Sequence, residues 1–279
     1  MTSELTLLDL DHTRTFLLLH GGGGVPTMAG FAHLPAERAH ARVLLPTHPG
    51  FGGTPKPDDL TGVTGLARTY VDLLDRLDLT GVTVIGNSFG GWVAAEIALL
   101  GSPRVSSAVI ANGIGVEVDG HPITDVRGLS PAELRNLSWH DQSKAPQQAT
   151  GPGPDVQALI GYTGPAMADP TLAKRLGQTP VPVHVVWGES DGLVSPEYGK
   201  AFAAAIPRST FTLLPRTGHL PQVESPEALL DACSQFGDGT WPGSRRRSSS
   251  PPRTSSMVIC SAAAESPARR ARTSARWLV

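Results

Sequence analysis

The chain is poor in several things that would otherwise decide its class. Cysteine occurs twice in 279 residues, as Cys233 and Cys260, so there is no disulfide framework and a reduced, cytoplasmic setting is expected. There is no excess of positive charge: 23 Lys and Arg against 25 Asp and Glu give a net charge of −2, which argues against a nucleic-acid or membrane-surface partner, since either needs a basic face. No apolar run approaches the roughly 20 residues needed to span a bilayer. The start Met1-Thr2-Ser3-Glu4 has no basic n-region, and Leu5 to Leu10, interrupted by Asp9, is too short for a signal core. The nine histidines are scattered without His-Glu-x-x-His or His-x-His spacing, so neither metal nor cofactor is expected. The glycine run 21–24 lacks the Lys-Ser/Thr of a phosphate loop and the spaced dinucleotide fingerprint, which makes nucleotide binding improbable.

What is present is 40% apolar and 17% charged sequence, enough to bury one sizeable core and too short for two ordinary large domains. Short β-rich runs at Thr15 to Leu19, Val43 to Pro46, Val82 to Ile85, Ser107 to Asn112, Val183 to Trp187 and Thr210 to Leu214 alternate with helical stretches. That alternation predicts an α/β fold with a mostly parallel, doubly wound sheet. Leu66, Tyr70, Leu73, Leu74 and Leu77 recur at helical spacing and predict the core face of the helix before the third of these strands.

The most informative stretch is Gly86-Asn87-Ser88-Phe89-Gly90, which follows the apolar run Val82 to Ile85 and precedes the helical run Gly91 to Leu100. A G-x-S-x-G pattern between a strand and a helix reads as a nucleophile elbow, a strained turn that lifts the serine hydroxyl off the end of the sheet. The flanking glycines answer the close approach of two backbones. Ser88 then stands at a helix N-terminus, where free N–H groups favour developing negative charge.

A serine hydroxyl needs a base within reach and an acid to fix the base's tautomer. His219, in the loop Pro215-Arg216-Thr217-Gly218-His219 after a strand, is the expected base, and Asp191, in Gly188-Glu189-Ser190-Asp191, the expected acid. Glu189, Glu117 and Asp119 are rivals for the acid's place. The apolar strand Leu17 to Leu19 opens into His20-Gly21-Gly22-Gly23-Gly24, where backbone N–H groups can approach a substrate unobstructed. The N–H groups of Gly22 or Gly23, with that of Phe89, are the expected oxyanion donors. His20 is read as an anchor of the glycine loop, and His48 is given no chemistry. With a histidine base, activity should fall as pH drops through roughly 6 to 7.

Taken together, the His20-Gly21-Gly22-Gly23 turn, the elbow, the Gly188-Glu189-Ser190-Asp191 turn and the Thr217-Gly218-His219 loop resemble the α/β-hydrolase superfamily over about residues 5 to 236. Within it the chain is similar to actinobacterial-type esterases and to the hydrolases that cleave carbon–carbon bonds in ring-fission products. The resemblance implies a catalytic Ser88, Asp191 and His219 acting through an acyl-enzyme on a small apolar ester, thioester, lactone or carbon–carbon substrate. Cofactor-free haloperoxidases and perhydrolases share that triad, and a ligand-binding protein with little turnover is a further alternative. Self-association into a homodimer is left open.

Between 113 and 179 the strands vanish. An insertion here, after the sixth strand, implies a small helical lid over Ser88, dividing the hydrolase core into 1–112 and 180–238. Ser130-Pro131-Ala132-Glu133 has the capping-box pattern and predicts a helix to about Trp139. Leu134, Leu137, Trp139, Tyr162 and Met167 are the lid's candidates for substrate contact, and 142 to 155 reads as loop. The segment 239–279 carries eight arginines and one acid, Glu265, among Ser, Pro and Ala, and reads as a disordered basic tail.

Overall fold

The computed structural model describes residues 4–8, 14–145, 155–234 and 258–261. Six aliphatic and β-branched runs form parallel strands: β2 (Thr15–Leu19), β3 (Arg42–Pro46), β4 (Val82–Asn87), β5 (Val105–Ala111), β6 (Val183–Gly188) and β7 (Ser209–Leu214). β2 and β6 are buried along their whole length, as expected where helices cover both faces of a sheet. Two short strands, β1 (Glu4–Leu8) and β8 (Val258–Ser261), extend the sheet antiparallel at the β3 edge, giving the order β7-β6-β5-β4-β2-β3-β1-β8.

Side chains alternate between two cores with the strand period of two. Leu17, Leu19, Val84, Ile110 and Val185 join the cluster beneath α2 (Gly62–Arg76), α3 (Phe89–Leu100) and α7 (Pro196–Ala204). Phe16, Leu18, Ile85, Val109 and Val186 face α1 (Pro26–Ala39) and α9 (Pro226–Ser234) on the other side. Between β5 and β6 lie α4 (Pro131–Ser138), a 3-10 turn (Gln142–Lys144), α5 (Val156–Thr163) and α6 (Leu172–Leu176), and α8 (Pro221–Glu224) precedes α9. α4 has the expected capping box, with Ser130 accepting from the Glu133 N–H and Glu133 from the Ser130 N–H.

Four expectations need correction. The helical insertion follows β5, the fifth strand of the chain, because only β1 precedes β2 among the described residues. β1 itself carried no strand assignment, since its pairing with β3 is set by tertiary contact. Leu77 is 41% exposed; it lies past Arg76, the last residue of α2, whose buried face is Val63, Leu66, Ala67, Tyr70 and Leu74. Within 239–279, Val258–Ser261 forms an element after all, pairing Ser261 with Glu4 and Val258 with Leu7; β-branched Val and Ile favour a strand. The rest of that segment, 146–154 of the expected loop, and Leu10 and Asp9 of the start lie outside the described residues.

Candidate active site

All six parallel strands end on the same edge, and β2, β4, β6 and β7 each lead there into one predicted site segment, the usual place for a ligand in an open α/β sheet. Ser88 occupies the turn from β4 to α3 at φ 55°, ψ −118°, a conformation that L-residues avoid and that clusters at functional sites. The surrounding glycines show why the turn is so tight. A Cβ at Gly86 would lie 2.0 Å from the Gly90 carbonyl oxygen, and one at Gly90 would lie 2.1 Å from that of Leu19. The strained peptide is held by the Ser88 N–H donating to Ala111 O at 3.0 Å and by Ser88 O accepting from Gly91 N at 2.9 Å. The Ser88 hydroxyl makes no side-chain hydrogen bond among the described residues.

Asp191 and His219 are brought together. The His219 Nδ1–H donates to Asp191 Oδ2 at 2.8 Å, and both residues are buried. The carboxylate is saturated by three further donors: the N–H groups of Leu193 and Val194 on Oδ1, at 2.9 and 3.0 Å, and Asn112 Nδ2 on Oδ2 at 2.6 Å. Hydrogen bonds to the charged form compensate a buried carboxylate for lost water. With Asp191 accepting at Nδ1, Nε2 is the imidazole's acceptor nitrogen, as a general base requires. The rivals do not compete: Glu117 and Asp119 are exposed, and Glu189 accepts from the Arg216 N–H at 3.1 Å.

Asn87 ties the base loop to the elbow. Its Nδ2 donates to His219 O at 3.0 Å and to Ala111 O at 3.1 Å, while its Oδ1 accepts from Gln222 Nε2 at 3.0 Å. Asn87, Asn112 and Gln222 carried no assignment from sequence. Asn112, at φ 49° directly after β5, has the one local signal among them, since asparagine tolerates the left-handed region.

On the other side of Ser88, the glycine loop rests on a buried chain of neutral groups. The His48 N–H donates to His20 Nε2 at 3.1 Å, so His20 carries its proton on Nδ1 and donates to Gly21 O at 2.8 Å. His48 Nε2–H donates to His20 O at 2.9 Å, leaving its Nδ1 to accept from the Tyr70 hydroxyl. Desolvation lowers His20 to about 4 and His48 well below the ordinary histidine value, and it raises Tyr70. Gly24 N donates to Gly21 O at 3.1 Å, and Asp155 N, at the start of α5, donates to Gly22 O at 2.9 Å. Among the described residues the N–H groups of Gly22, Gly23 and Phe89 have no backbone acceptor, which leaves all three available.

Of the expected lid contacts, Tyr162 and Met167 are buried in the cluster that contains Phe89, and Leu134 and Leu137 pack against it. Tyr162 lies 5.6 Å from the Phe89 ring, donates to Pro49 O at 2.8 Å and carries Lys56 Nζ over its face at 4.0 Å. Trp139 caps the C-terminus of α4, half-buried and outside that cluster. Among the described residues, no group of three or more His, Cys, Asp and Glu side chains could hold a metal ion, and no helix is long and apolar enough to cross a membrane.

This geometry belongs to a class: the model of the alpha/beta hydrolase family matches residues 16–232, and the chain is a member of that family. Its sequence is 25% identical to the 2-hydroxy-6-oxo-6-(2'-aminophenyl)hexa-2,4-dienoic acid hydrolase of Metapseudomonas resinovorans, covering 84% of this chain and 87% of the relative. It is 26% identical to the 2-hydroxy-6-oxo-6-phenylhexa-2,4-dienoate hydrolase of Burkholderia cepacia, covering 81% and 88%. In fold it is similar to a variant of the meta-cleavage product hydrolase from Pseudomonas fluorescens IP01 complexed with acetates, with a TM-score of 0.68, 21% identity and coverage of 84% and 94%. Family and named relatives together support a hydrolase.

Proposed function

We propose that the chain is a serine hydrolase working through an acyl-enzyme. Ser88 attacks the substrate carbonyl, His219 Nε2 takes its proton and returns it to the leaving group, and Asp191 holds the imidazole in the tautomer that leaves Nε2 free. The N–H of Phe89 with that of Gly22 or Gly23 receives the oxyanion, and water resolves the acyl-enzyme by the same base. The observation that carries this reading is the 2.8 Å Asp191–His219 pair, tied through Asn87 to a serine in a strained turn between strand and helix.

The substrate class is a small apolar ester, thioester, lactone or ring-fission-type carbon–carbon compound, in line with the apolar packing of Phe89, Leu134, Leu137, Tyr162 and Met167. Trp139, at the C-terminus of α4, is a further proposed substrate contact. The protein acts on a small molecule in the cytoplasm, without nucleic acid or membrane as partner. The test is intact-protein mass after fluorophosphonate treatment. One adduct on the unsubstituted chain and none on Ser88→Ala or His219→Ala is the expected result. A folded, unmodified wild-type chain overturns the reading in favour of a binding protein.

A further inference from the structure

Glu224, at the end of α8, takes no part in the chemistry above, yet it is a buried carboxylate. Its Oε2 accepts from the Gly218 N–H at 2.6 Å and the His140 N–H at 3.2 Å, and its Oε1 accepts from the Asp141 N–H at 2.9 Å. Among the described residues no Lys or Arg pairs with it, and its hydrogen-bond partners are backbone N–H groups. Those groups come from two segments that are far apart in sequence: the exit of the lid helix α4, and the residue immediately before His219.

The same two segments meet at a second point. The His219 N–H donates to Ser138 O at 2.7 Å, and a Cβ on Gly218 would lie 2.2 Å from that same oxygen. Beside these bonds the surface opens. His140 to Lys144 on one side face Pro215, Arg216 and Ser225 on the other across a cavity of about 680 Å³. Hydrogen bonds thus bridge the lid exit and the base loop beside their close backbone contact, and Glu224 accepts three of them, one from Gly218 and two from His140 and Asp141.

We infer that Glu224 is a positioning residue: it clamps the Gly218–His219 peptide against the lid exit and so fixes where the imidazole stands relative to Ser88. This rests on the serine-hydrolase reading of Ser88 and His219. A misplacement of about 1 Å between reacting groups is worth roughly 100-fold in rate, so a loosened loop should be felt in turnover before it is felt in folding.

The test compares the full-length chain with Glu224→Gln, in which one oxygen remains to accept but an NH2 group faces a backbone donor. Fluorophosphonate labelling rate, kcat and KM on a p-nitrophenyl ester of a short acid, and Tm are measured together. The expected result is a drop of about 10- to 100-fold in labelling rate and kcat, with KM within twofold and the cooperative unfolding transition kept. Glu224→Asp, which retains the charge, should recover part of the loss. Labelling and kcat within twofold of the unsubstituted protein overturn the positioning role alone, whereas a wild-type chain that is not labelled overturns the hydrolase reading and this role with it. If the Gln variant does not fold, Glu224→Asp is read in its place: a kcat-specific loss supports the clamp, and wild-type kcat overturns it.

Discussion

The two sides of Ser88 are built on opposite electrostatic plans. On the side of His219, negative charge is taken into the protein and held there: Asp191 and Glu224 are both buried carboxylates, and backbone N–H groups and one asparagine amide satisfy them. On the side of the glycine loop, charge is kept out. His20, His48 and Tyr70 are linked end to end and stay neutral, because burial opposes their ionised forms. In the proposed mechanism His219 must be stabilised as it becomes a cation, and a neighbouring carboxylate would do that. In the same proposal the glycine loop must keep its N–H groups uncommitted, and a neutral scaffold gives its carbonyls partners without adding a charge there. One site thus surrounds its buried carboxylates with hydrogen-bond donors and leaves its buried imidazoles without a counter-charge.

The comparison can be broken most severely on the charged side. Asp191→Asn should fold but lower kcat by about 10⁴, the size of the tautomer error in a serine protease; a loss under tenfold would mean that another acid orients His219. Next comes the hinge between the two sides. Gly90→Ala places a Cβ 2.1 Å from Leu19 O, and overpacking backbone against backbone should cost about 3 kcal/mol or more, read as a shift of the urea midpoint or loss of folded protein.

The neutral side is probed by pH. His20 sits at about 4 in the fold against 6.5 ordinarily, so between those values the unfolded chain binds the extra proton. The stability that neutrality gives is therefore full above pH 6.5 and is lost as pH falls toward 4, by up to about 3 kcal/mol. The urea midpoints of wild type and His20→Gln should converge over that interval; parallel curves would show that His20 is not held neutral. The smallest effect is expected at the lid. Tyr162→Phe removes only the hydroxyl bond to Pro49 O, leaves the ring against Phe89, and should cost about 1 kcal/mol in thermal unfolding.

How much of this could be read beforehand follows from what is local. The elbow, the His219 loop and the Asp191 turn announce themselves because each is a short signature at the end of an apolar run, and the six parallel strands follow from the same runs. α4 was legible from Ser130 and Glu133, whose reciprocal bonds span three residues. Asn87, Asn112 and Glu224 were not, because their partners lie 132, 79 and up to 84 positions away. No pattern near an asparagine at a strand end says which carboxylate will dock on it. Leu77 departs from the helical period for a related reason: α2 ends at Arg76, one residue before it.

The bond from Asp155 N to Gly22 O gives α5 a hold on the orientation of one peptide unit. In a planar trans peptide the carbonyl and the following N–H point in opposite directions, so pinning Gly22 O from α5 also aims the Gly23 N–H. The preceding unit, which carries the Gly22 N–H, is pinned at Gly21 O by His20 and Gly24, which flank it in the same loop. Two adjacent donors therefore answer to different masters. The two candidate donors differ in what sets their aim: α5 for the Gly23 N–H, and the residues flanking the glycine run for the Gly22 N–H.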